Sequence, residues 1–444
     1  NLDSISIGAG NYFGASSDAI YAATPMVYDI ATADHMYNSS GFTGDARTGP
    51  NTYKYADKVM AIHTIVDGGG TDTIDASAVT NANRSSTINL TPGAFSSIAT
   101  YTRAQQLADV EAAGGATAKS NVESYFATLD ALADTGDAIY TGQENVAIAH
   151  YSLIENAIGG AGNDTITGSA GNDYLQGDSG NDTISVNGGH NVAIGGSGND
   201  VITAGSGTDL ITGGSGDDII NLTVNSDSLT TTLIFSGLSN ASNGSDQIIN
   251  FQASDTYNFG NTLFNGTVAN MRSEQLLLAS TAALADESST INLDDKELYI
   301  AEVTAKTSID SVADFLTALT SPIGVLDALT FSANSENIIV VGGADDDNTH
   351  FIYGIDNDST PSLLISEIAL LATTTTNITQ GIRGLNADNF HFGISGNDSD
   401  EVISGSTASD KIFSGNGNDT INGVAGDDNI TLGSGIDTVV FNGV

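Results

Sequence analysis

Gly159-Gly-Ala-Gly-Asn-Asp-Thr-Ile-Thr167 opens a run of seven nine-residue units that ends at Asn221 without a gap. The units begin at Gly159, Gly168, Gly177, Val186, Gly195, Ala204 and Gly213. Their sixth place holds Asp164, Asp173, Asp182, Asn191, Asp200, Asp209 and Asp218, and their eighth holds Ile166, Leu175, Ile184, Ala193, Ile202, Ile211 and Ile220. A polar and an apolar position that recur at one fixed period are the signature of stacked repeats. A flexible Gly-rich linker has no reason to keep an aliphatic residue in every unit.

Glycines at the first, second and fourth places allow a tight turn, and the following x-Ile-x makes a three-residue strand with one side chain pointing inward. Each unit is then half a coil, and units two apart stack at the ~4.8 Å spacing of neighbouring strands. Acids eighteen residues apart fall into two columns, Asp164, Asp182, Asp200, Asp218 and Asp173, Asn191, Asp209. Carboxylates stacked so closely repel one another unless a cation lies between them. Turn carbonyls at Gly160, Gly162, Gly171, Gly180, Gly196, Gly198, Gly205, Gly207, Gly214 and Gly216 complete an all-oxygen cage with those acids. Such cages suit calcium, at ~2.3 to 2.6 Å, better than magnesium with its tighter octahedron, so several Ca2+ ions are expected. One buried aliphatic side chain is too little to offset the entropy of ordering nine residues, which makes bound metal part of the fold. The fourth unit has Asn191 and Ala193 in its two key places, so calcium sites beside Asn191 are expected to be weak or empty.

A second array closes the chain. Glu401, Asp410, Asp419, Asp428 and Asp437 recur every nine residues beside Ile403, Ile412, Ile421, Ile430 and Val439. Asp410, Asp419, Asp428 and Asp437, with carbonyls at Gly415, Gly417, Gly426, Gly433 and Gly435, are its candidate ligands. Gly405-Ser-Thr-Ala-Ser-Asp410 lacks two of the glycines, so the middle of this array is the better formed.

Composition narrows the function classes. With 54 Asp plus Glu against 11 Lys plus Arg the formal charge is -43, which excludes general affinity for nucleic acid or anionic membranes through basic patches. Apolar residues at 40% and only 5 Pro argue for a chain that folds once its charge is neutralised. There is no Cys, and no apolar run approaches the ~20 residues of a transmembrane segment. The sequence opens at Asn1 without a Met, a basic n-region or an apolar h-region, and its last residues read as strand and turn, so more chain is expected past Val444. The two closest histidines, His35 and His63, are 28 residues apart, and the others are His150, His190, His350 and His391. No zinc is expected in this chain, because the paired-histidine helix of a zinc hydrolase is not there. Gly177-Asp-Ser-Gly180 mimics a nucleophile turn, but Ser179 is simply a variable third place of the repeat, and no catalytic constellation is read.

These nonapeptides resemble those of the RTX proteins, secreted calcium binders exported by type I systems. Val66-Asp-Gly-Gly-Gly-Thr-Asp-Thr-Ile-Asp-Ala-Ser77, Arg84 to Leu90, Pro92-Gly-Ala-Phe-Ser96, Asn145-Val-Ala-Ile-Ala149 and Ile154-Glu-Asn-Ala-Ile-Gly-Gly160 narrow the likeness. In that order they are similar to the lead-in to the C-terminal β-roll of serralysin-type metalloproteases. Thr24-Pro-Met-Val-Tyr-Asp-Ile30 resembles the helix joining protease and roll, so the likeness covers roughly residues 20–221. It implies that Asp67, Gly69 and Asp72 hold one calcium before the roll and that Glu155 ligates another at its entrance. The family's Arg-x-Gly-Asp-Thr stretch is here Arg47-Thr-Gly-Pro-Asn51, with Pro50 in place of Asp.

The expected fold is mostly β: a parallel β-roll with flanking β-rich modules and a small helical insertion. Residues 1–58 form a linker-like segment with a helix, 59–158 a β-rich lead-in, 159–221 the first roll, 222–390 a β-rich cap or module, and 391–444 the second roll. Residues 101–144 read as the insertion, with Ser120-Asn-Val-Glu123 as a capping box and Val122, Phe126, Leu129 and Ala133 on one face. Between the arrays, Thr232–Phe235, Asn337–Val341 and Phe351–Tyr353 read as strands and Asp310–Leu319 as a short amphipathic helix. Asp246-Gln-Ile-Ile-Asn-Phe251, followed by Asp255, resembles the covering strand that ends RTX rolls. The acidic stretches Asp345-Asp-Asp-Asn348 and Asp356-Asn-Asp358 are further calcium candidates.

Two functions are open at this point. One is an extracellular structural or interaction protein, a calcium-rigidified subunit of a surface layer, sheath or filament, partnered by itself or by the cell surface. The other is the non-catalytic C-terminal part of a serralysin-like secreted zinc metalloprotease. Under either, low internal calcium keeps the chain extended for export and external calcium folds it, with affinities of ~10⁻⁴ to 10⁻³ M as in extracellular modules.

Overall fold

The computed structural model describes residues 5–6, 19–20, 48–57, 63–100, 102–133, 144–222, 231–236, 240–259, 276–279, 291–293, 297–303, 310–320, 329–331, 335–343, 349–357, 368–376, 390–391, 394–395, 402–404, 411–414, 419–422, 429–432 and 436–440. The helix expected at Thr24–Ile30 lies outside these residues. The chain divides into two compact units, Asn1–Gly188 and Gly189–Val444.

In the first unit two parallel ladders face each other, as half-coils of period nine require. One stacks Thr52–Ala56, Thr73–Ala78, Asn156–Gly160 and Tyr174–Ser179, with Thr52 opposite Thr73, Thr73 opposite Asn156, and Asn156 opposite Tyr174. The other stacks Ser85–Asn89, Thr165–Thr167 and Thr183–Ser185, with Ile88, Ile166 and Ile184 aligned. Between them Ile74, Ile88, Ala157, Ile166, Leu175 and Ile184 are wholly buried. The roll thus starts well before Gly159, and the chain leaves it after Asn89 only to return at Asn156. The excursion is an antiparallel pair with Phe95–Thr100, a helix Arg103–Ala133, and Val146–Ile148, which pairs with His63–Ile65.

The helix begins at Arg103, inside the expected insertion but ahead of the capping box read at Ser120. Thr102-Arg-Ala-Gln105 is its capping box: the Gln105 N–H donates to Thr102 Oγ1 at 3.3 Å, and the Thr102 N–H donates to Gln105 Oε1 at 2.6 Å. Ser120 and Glu123 sit inside the helix, so the expected cap there is corrected. Gly115, at φ +73°, kinks the helix instead of ending it. The side chains of Phe126, Leu129 and Ala133 lie outside the described set.

The second unit repeats the design. Val192–Ser197, Leu210–Ser215, Thr232–Phe235, Thr256–Phe259 and Phe390–His391 form one parallel ladder. Val201–Thr203, Ile219–Asn221, Asp246–Phe251 and Ile368–Thr376 form the other. The stack therefore continues past Asn221, although the strict period ends there. Successive strands need only match in register, and the connections lengthen from 18 residues between Asp200 and Asp218 to 28 between Asp218 and Asp246. Phe235, Phe251, Tyr257 and Phe259 fill this end, with the Phe251 and Tyr257 rings stacked at 4.3 Å. Buried His350 and Thr374 each hydrogen-bond the Tyr257 hydroxyl at 2.9 Å.

Beyond Ile368–Thr376 the sheet becomes an antiparallel meander through Thr349–Asn357 and Ser335–Gly343, then parallel again through Glu297–Val303 and Leu276–Ala279. The helix Val312–Thr320, capped by Ser311, packs Phe315 flat on Tyr353 at 4.1 Å, over Ile339, Val341, Phe351 and Ile355. Asp356 and Asn357 end a strand here, while residues 345–348 and 358 are outside the described set. The second array makes two three-stranded parallel sheets with Ile394, Ile412 and Ile430 aligned in one and Ile403, Ile421 and Val439 in the other.

Candidate calcium-binding turns

One contact recurs at the sixth place of successive coils: the backbone N–H donates to a carboxylate oxygen of the next coil. Asp164 donates to Asp182 Oδ1 at 2.7 Å, Asp200 to Asp218 Oδ1 at 2.7 Å, and Asn191 to Asp209 Oδ1 at 3.1 Å. Ser86 donates in the same way to Asp164. Parallel stacking forces this, because each acid lies directly above the turn of the previous coil. In the second array the Asp419 N–H donates to Asp437 Oδ1 at 2.9 Å, so that array builds the same turn. Asp410, Gly415, Gly417, Gly426, Asp428, Gly433 and Gly435 lie outside the described residues.

Register assigns members that the sequence period misses. On one face the sixth-place residues of the first unit are Asn51, Asp72, Glu155 and Asp173, since Thr52, Thr73, Asn156 and Tyr174 are aligned. The Asn51 N–H donates to Asp72 Oδ1 at 2.7 Å, and the Asp72 N–H to Glu155 Oε2 at 2.8 Å. In the second unit one face reads Asn191, Asp209, Thr231, Asp255, with the Thr231 N–H on Asp255 Oδ1 at 3.0 Å. The opposite face of that unit reads Asp200, Asp218, Asp246.

These acids are buried and costly to ionise. Asp164, Asp173, Asp182, Asp200, Asp209 and Asp218 are at most 3% exposed. Desolvation raises Asp164 and Asp173 to about 6 against backbone hydrogen bonds that favour the charge. Asp218 is pushed up to about 7, by burial first and then by the Asp200 and Asp217 charges. Burial and the Asp218 charge push Asp246 up to about 9. Burial also raises Asp209 and brings Asp72 and Asp255 to about 6.

The groups present fit a hard cation. Oδ2 of Asp72 and of Asp218 is buried with no hydrogen-bond partner, an expensive state that a metal ion relieves. Backbone carbonyls point into the same stack: a Cβ on Gly180 would collide with the Gly162 carbonyl, and one on Gly216 with that of Gly198. Both glycines also adopt φ near +125°, which a side chain would strain. Among the described residues no three Asp, Glu, His or Cys side chains gather as a metal cluster, so backbone oxygens must supply most of any coordination.

Two turns differ. The Asn191 amide Nδ2 donates to Asp209 Oδ1 at 2.9 Å and reaches the Gly189 carbonyl at 3.4 Å. The Asn51 amide does likewise before the roll, donating to the Gly49 carbonyl and, at 3.4 Å each, to Asp67 Oδ2 and Asp72 Oδ1. In both turns an NH2 group takes a place among the carboxylate and carbonyl oxygens. The lead-in site thus does gather Asp67 and Asp72, with the Tyr53 hydroxyl donating to Asp67 at 2.5 Å and the Gly69 N–H at 3.0 Å. Asn51, next to the anomalous Pro50, was not among the expected ligands.

Four segments, residues 154–184, 185–220, 395–430 and 404–439, match the family model of the RTX calcium-binding nonapeptide repeat. The chain is also similar to Serralysin C of Dickeya chrysanthemi, 33% identical over 165 residues, 35% of this chain and 25% of that protein. Serralysin B of the same organism is 32% identical over 155 residues, 33% of this chain and 23% of that protein. The chain spans about a quarter of the length of these relatives. It carries RTX calcium-binding nonapeptide repeats in two arrays and is related to the serralysins over about a third of its length.

Proposed function

We propose that this chain is a secreted calcium-binding RTX protein with a structural or interaction role, in which calcium sets and rigidifies the rolls after export. The observation that carries the reading is the succession of buried carboxylates in coils whose turn glycines stack carbonyl against glycine. Asp164, Asp182, Asp200 and Asp218, with the Gly162, Gly180, Gly198 and Gly216 carbonyls, are the groups that would hold the ions. When bound, calcium supplies the positive charge that lets adjacent buried acids ionise together. The protein's own part is to fix those oxygens by strand register and by the N–H donated to each acid. The meander beyond the first roll and the second array are additions that a mere export signal does not need. This supports a subunit of a surface layer, sheath or filament, reached by type I secretion.

The similarity to Serralysin C and Serralysin B favours a second reading, the C-terminal part of a serralysin-like secreted protease. The test is to titrate calcium into the chelated chain while following β content, then to image the producing cells. Calcium-dependent folding with ordered surface assemblies supports the first reading. A calcium-folded monomer whose full-length gene product degrades casein overturns it in favour of the second, and folding indifferent to calcium sinks both.

A further inference from the structure

The meander lies between the two arrays that match the repeat family, at residues outside every matched segment. Strand Ile368–Thr376 joins it to the roll, with Thr374 opposite Ile248 on one side and opposite His350 on the other. That strand specifies its register weakly. Four threonines in a row, Thr373-Thr-Thr-Thr376, mean that a shift of two residues can again turn a threonine inward. A buried contact marks Thr374 out from its neighbours. The Tyr257 O–H, from the opposite ladder of the roll, donates to Thr374 Oγ1 at 2.9 Å. His350 meets the same hydroxyl through Nε2 at 2.9 Å, and with the phenol proton on Thr374 it is the Nε2–H that donates. All three side chains are buried; the Tyr257 ring is stacked on Phe251 at 4.3 Å, and His350 stands edge-on to both rings, at 86° and 87°. Burial lowers the His350 pKa to about 3 and holds the Tyr257 phenol well above its usual value, so both groups are neutral around pH 7.

Tyr257 thus ties one ladder of the roll to the other, through Phe251, and both to the meander, through the cross-strand pair His350 and Thr374. Parting the meander from the roll would leave a phenol, an imidazole and a hydroxyl short of partners in an apolar site, which couples the two tightly. The last coils are themselves placed by the stack before them, since Asp246–Phe251 pairs with Ile219–Asn221 and Thr256–Phe259 with Thr232–Phe235. In such a stack each coil is ordered by its neighbour. We propose that Tyr257, His350 and Thr374 form a buried lock that carries the order set by calcium in the roll into the meander, so that the meander face is presented only by the loaded protein. Tyr257 is a positioning residue in this scheme, acting through the register of Ile368–Thr376.

This inference rests on the calcium reading above, and one experiment tells the two apart. Hydrogen exchange of the full chain, read by mass spectrometry as calcium chloride is titrated into the chelated protein, follows roll and meander separately. In the unaltered protein we expect peptides covering Ser335–Gly343, Thr349–Asn357 and Ile368–Thr376 to gain protection at the same calcium midpoint as those covering Asp200 and Asp218. Tyr257→Phe keeps the ring and loses the hydroxyl. In saturating calcium its meander peptides should exchange about tenfold faster or more, as His350 and Thr374 lose a buried partner, while the Asp200 and Asp218 peptides keep their midpoint. Meander protection that is complete in chelator, or unchanged by Tyr257→Phe, overturns the lock and leaves the calcium reading standing. A loss spread equally over roll and meander marks a merely structural residue and overturns the lock as well. Protection at Asp200 and Asp218 that ignores calcium overturns the calcium reading, and the lock with it. If Tyr257→Phe does not fold, Thr374→Val, of the same shape, is read in the same way, and an unchanged meander refutes the lock.

Discussion

The two faces of the second unit's roll share one backbone and differ in what stands at the sixth place. One face runs Asp200, Asp218, Asp246; the other runs Asn191, Asp209, Thr231, Asp255. On both, a sixth-place N–H donates to the carboxylate of the next coil. Backbone hydrogen bonding is therefore satisfied with or without neighbouring acids. Where acid follows acid, buried charge meets buried charge, so under the calcium reading the all-acid face would depend on metal while the interrupted face is held in part by an amide.

The largest way to sharpen this contrast is to remove the metal. Chelation is expected to lower the thermal midpoint steeply, with amide exchange quickening first at the Asp200 and Asp218 turns and later at Asn191 and Asp209. Equal, simultaneous loss on both faces breaks the comparison. Next in size is Asp218→Asn, which removes the acid shared by two successive pairs. A charged hydrogen-bond partner contributes roughly 1.5–3 kcal/mol, so the calcium midpoint for folding should rise about tenfold or more. A calcium titration followed by circular dichroism reads it, and an unchanged midpoint speaks against the column.

Asn191→Asp makes the interrupted face acidic. It should add calcium capacity while lowering stability in chelator by on the order of 1–3 kcal/mol, because the new carboxylate abuts Asp209 in place of an amide donor. A variant as stable as the parent in chelator, with no extra ion, removes any special role for the amide.

The smallest effect is that of pH on the chelated protein. Folded acids with raised pKa values hold protons that the unfolded chain has lost, so folding without calcium improves as pH falls through those values. The gain from Asp246 sets in as pH falls below about 9, that from Asp218 below about 7 and that from Asp255 below about 6, each growing until the ordinary carboxylate range is reached. In calcium the sign reverses, since protons compete with the ion, and more calcium is needed as pH falls. Below 6.5 buried His350, lowered to about 3, works against the fold as its unfolded form takes up a proton. Urea midpoints from pH 9 to 6.5 in chelator should therefore rise, and a flat or falling series contradicts the assignment.

Much of this was legible in the residues. The coincidence of an acid and an aliphatic at fixed places gave coil length, facing ladders and inward Ile166, Ile184, Ile202 and Ile220, because local turn chemistry and burial impose the same period. Asp246 and Asp255 were seen only as part of a terminating strand. Lengthened connections hide their periodicity, and the ladder senses register alone. Asn51 was hidden for a related reason: its place in the column comes from pairing of Thr52 with Thr73 across a non-repeat segment. The helix cap was misplaced because Ser120-Asn-Val-Glu123 has the capping pattern, while the helix starts at Arg103, bends at Gly115 and continues through it.

The central claim is that successive buried acids in the roll are held by calcium. It is tested most directly by locating calcium through its anomalous signal in crystals grown with the ion. The account predicts metal peaks beside Asp200 and Asp218, and weak or no density at the Asn191 turn. A map with no metal beside Asp200 and Asp218, in crystals whose roll is nonetheless ordered, would contradict it.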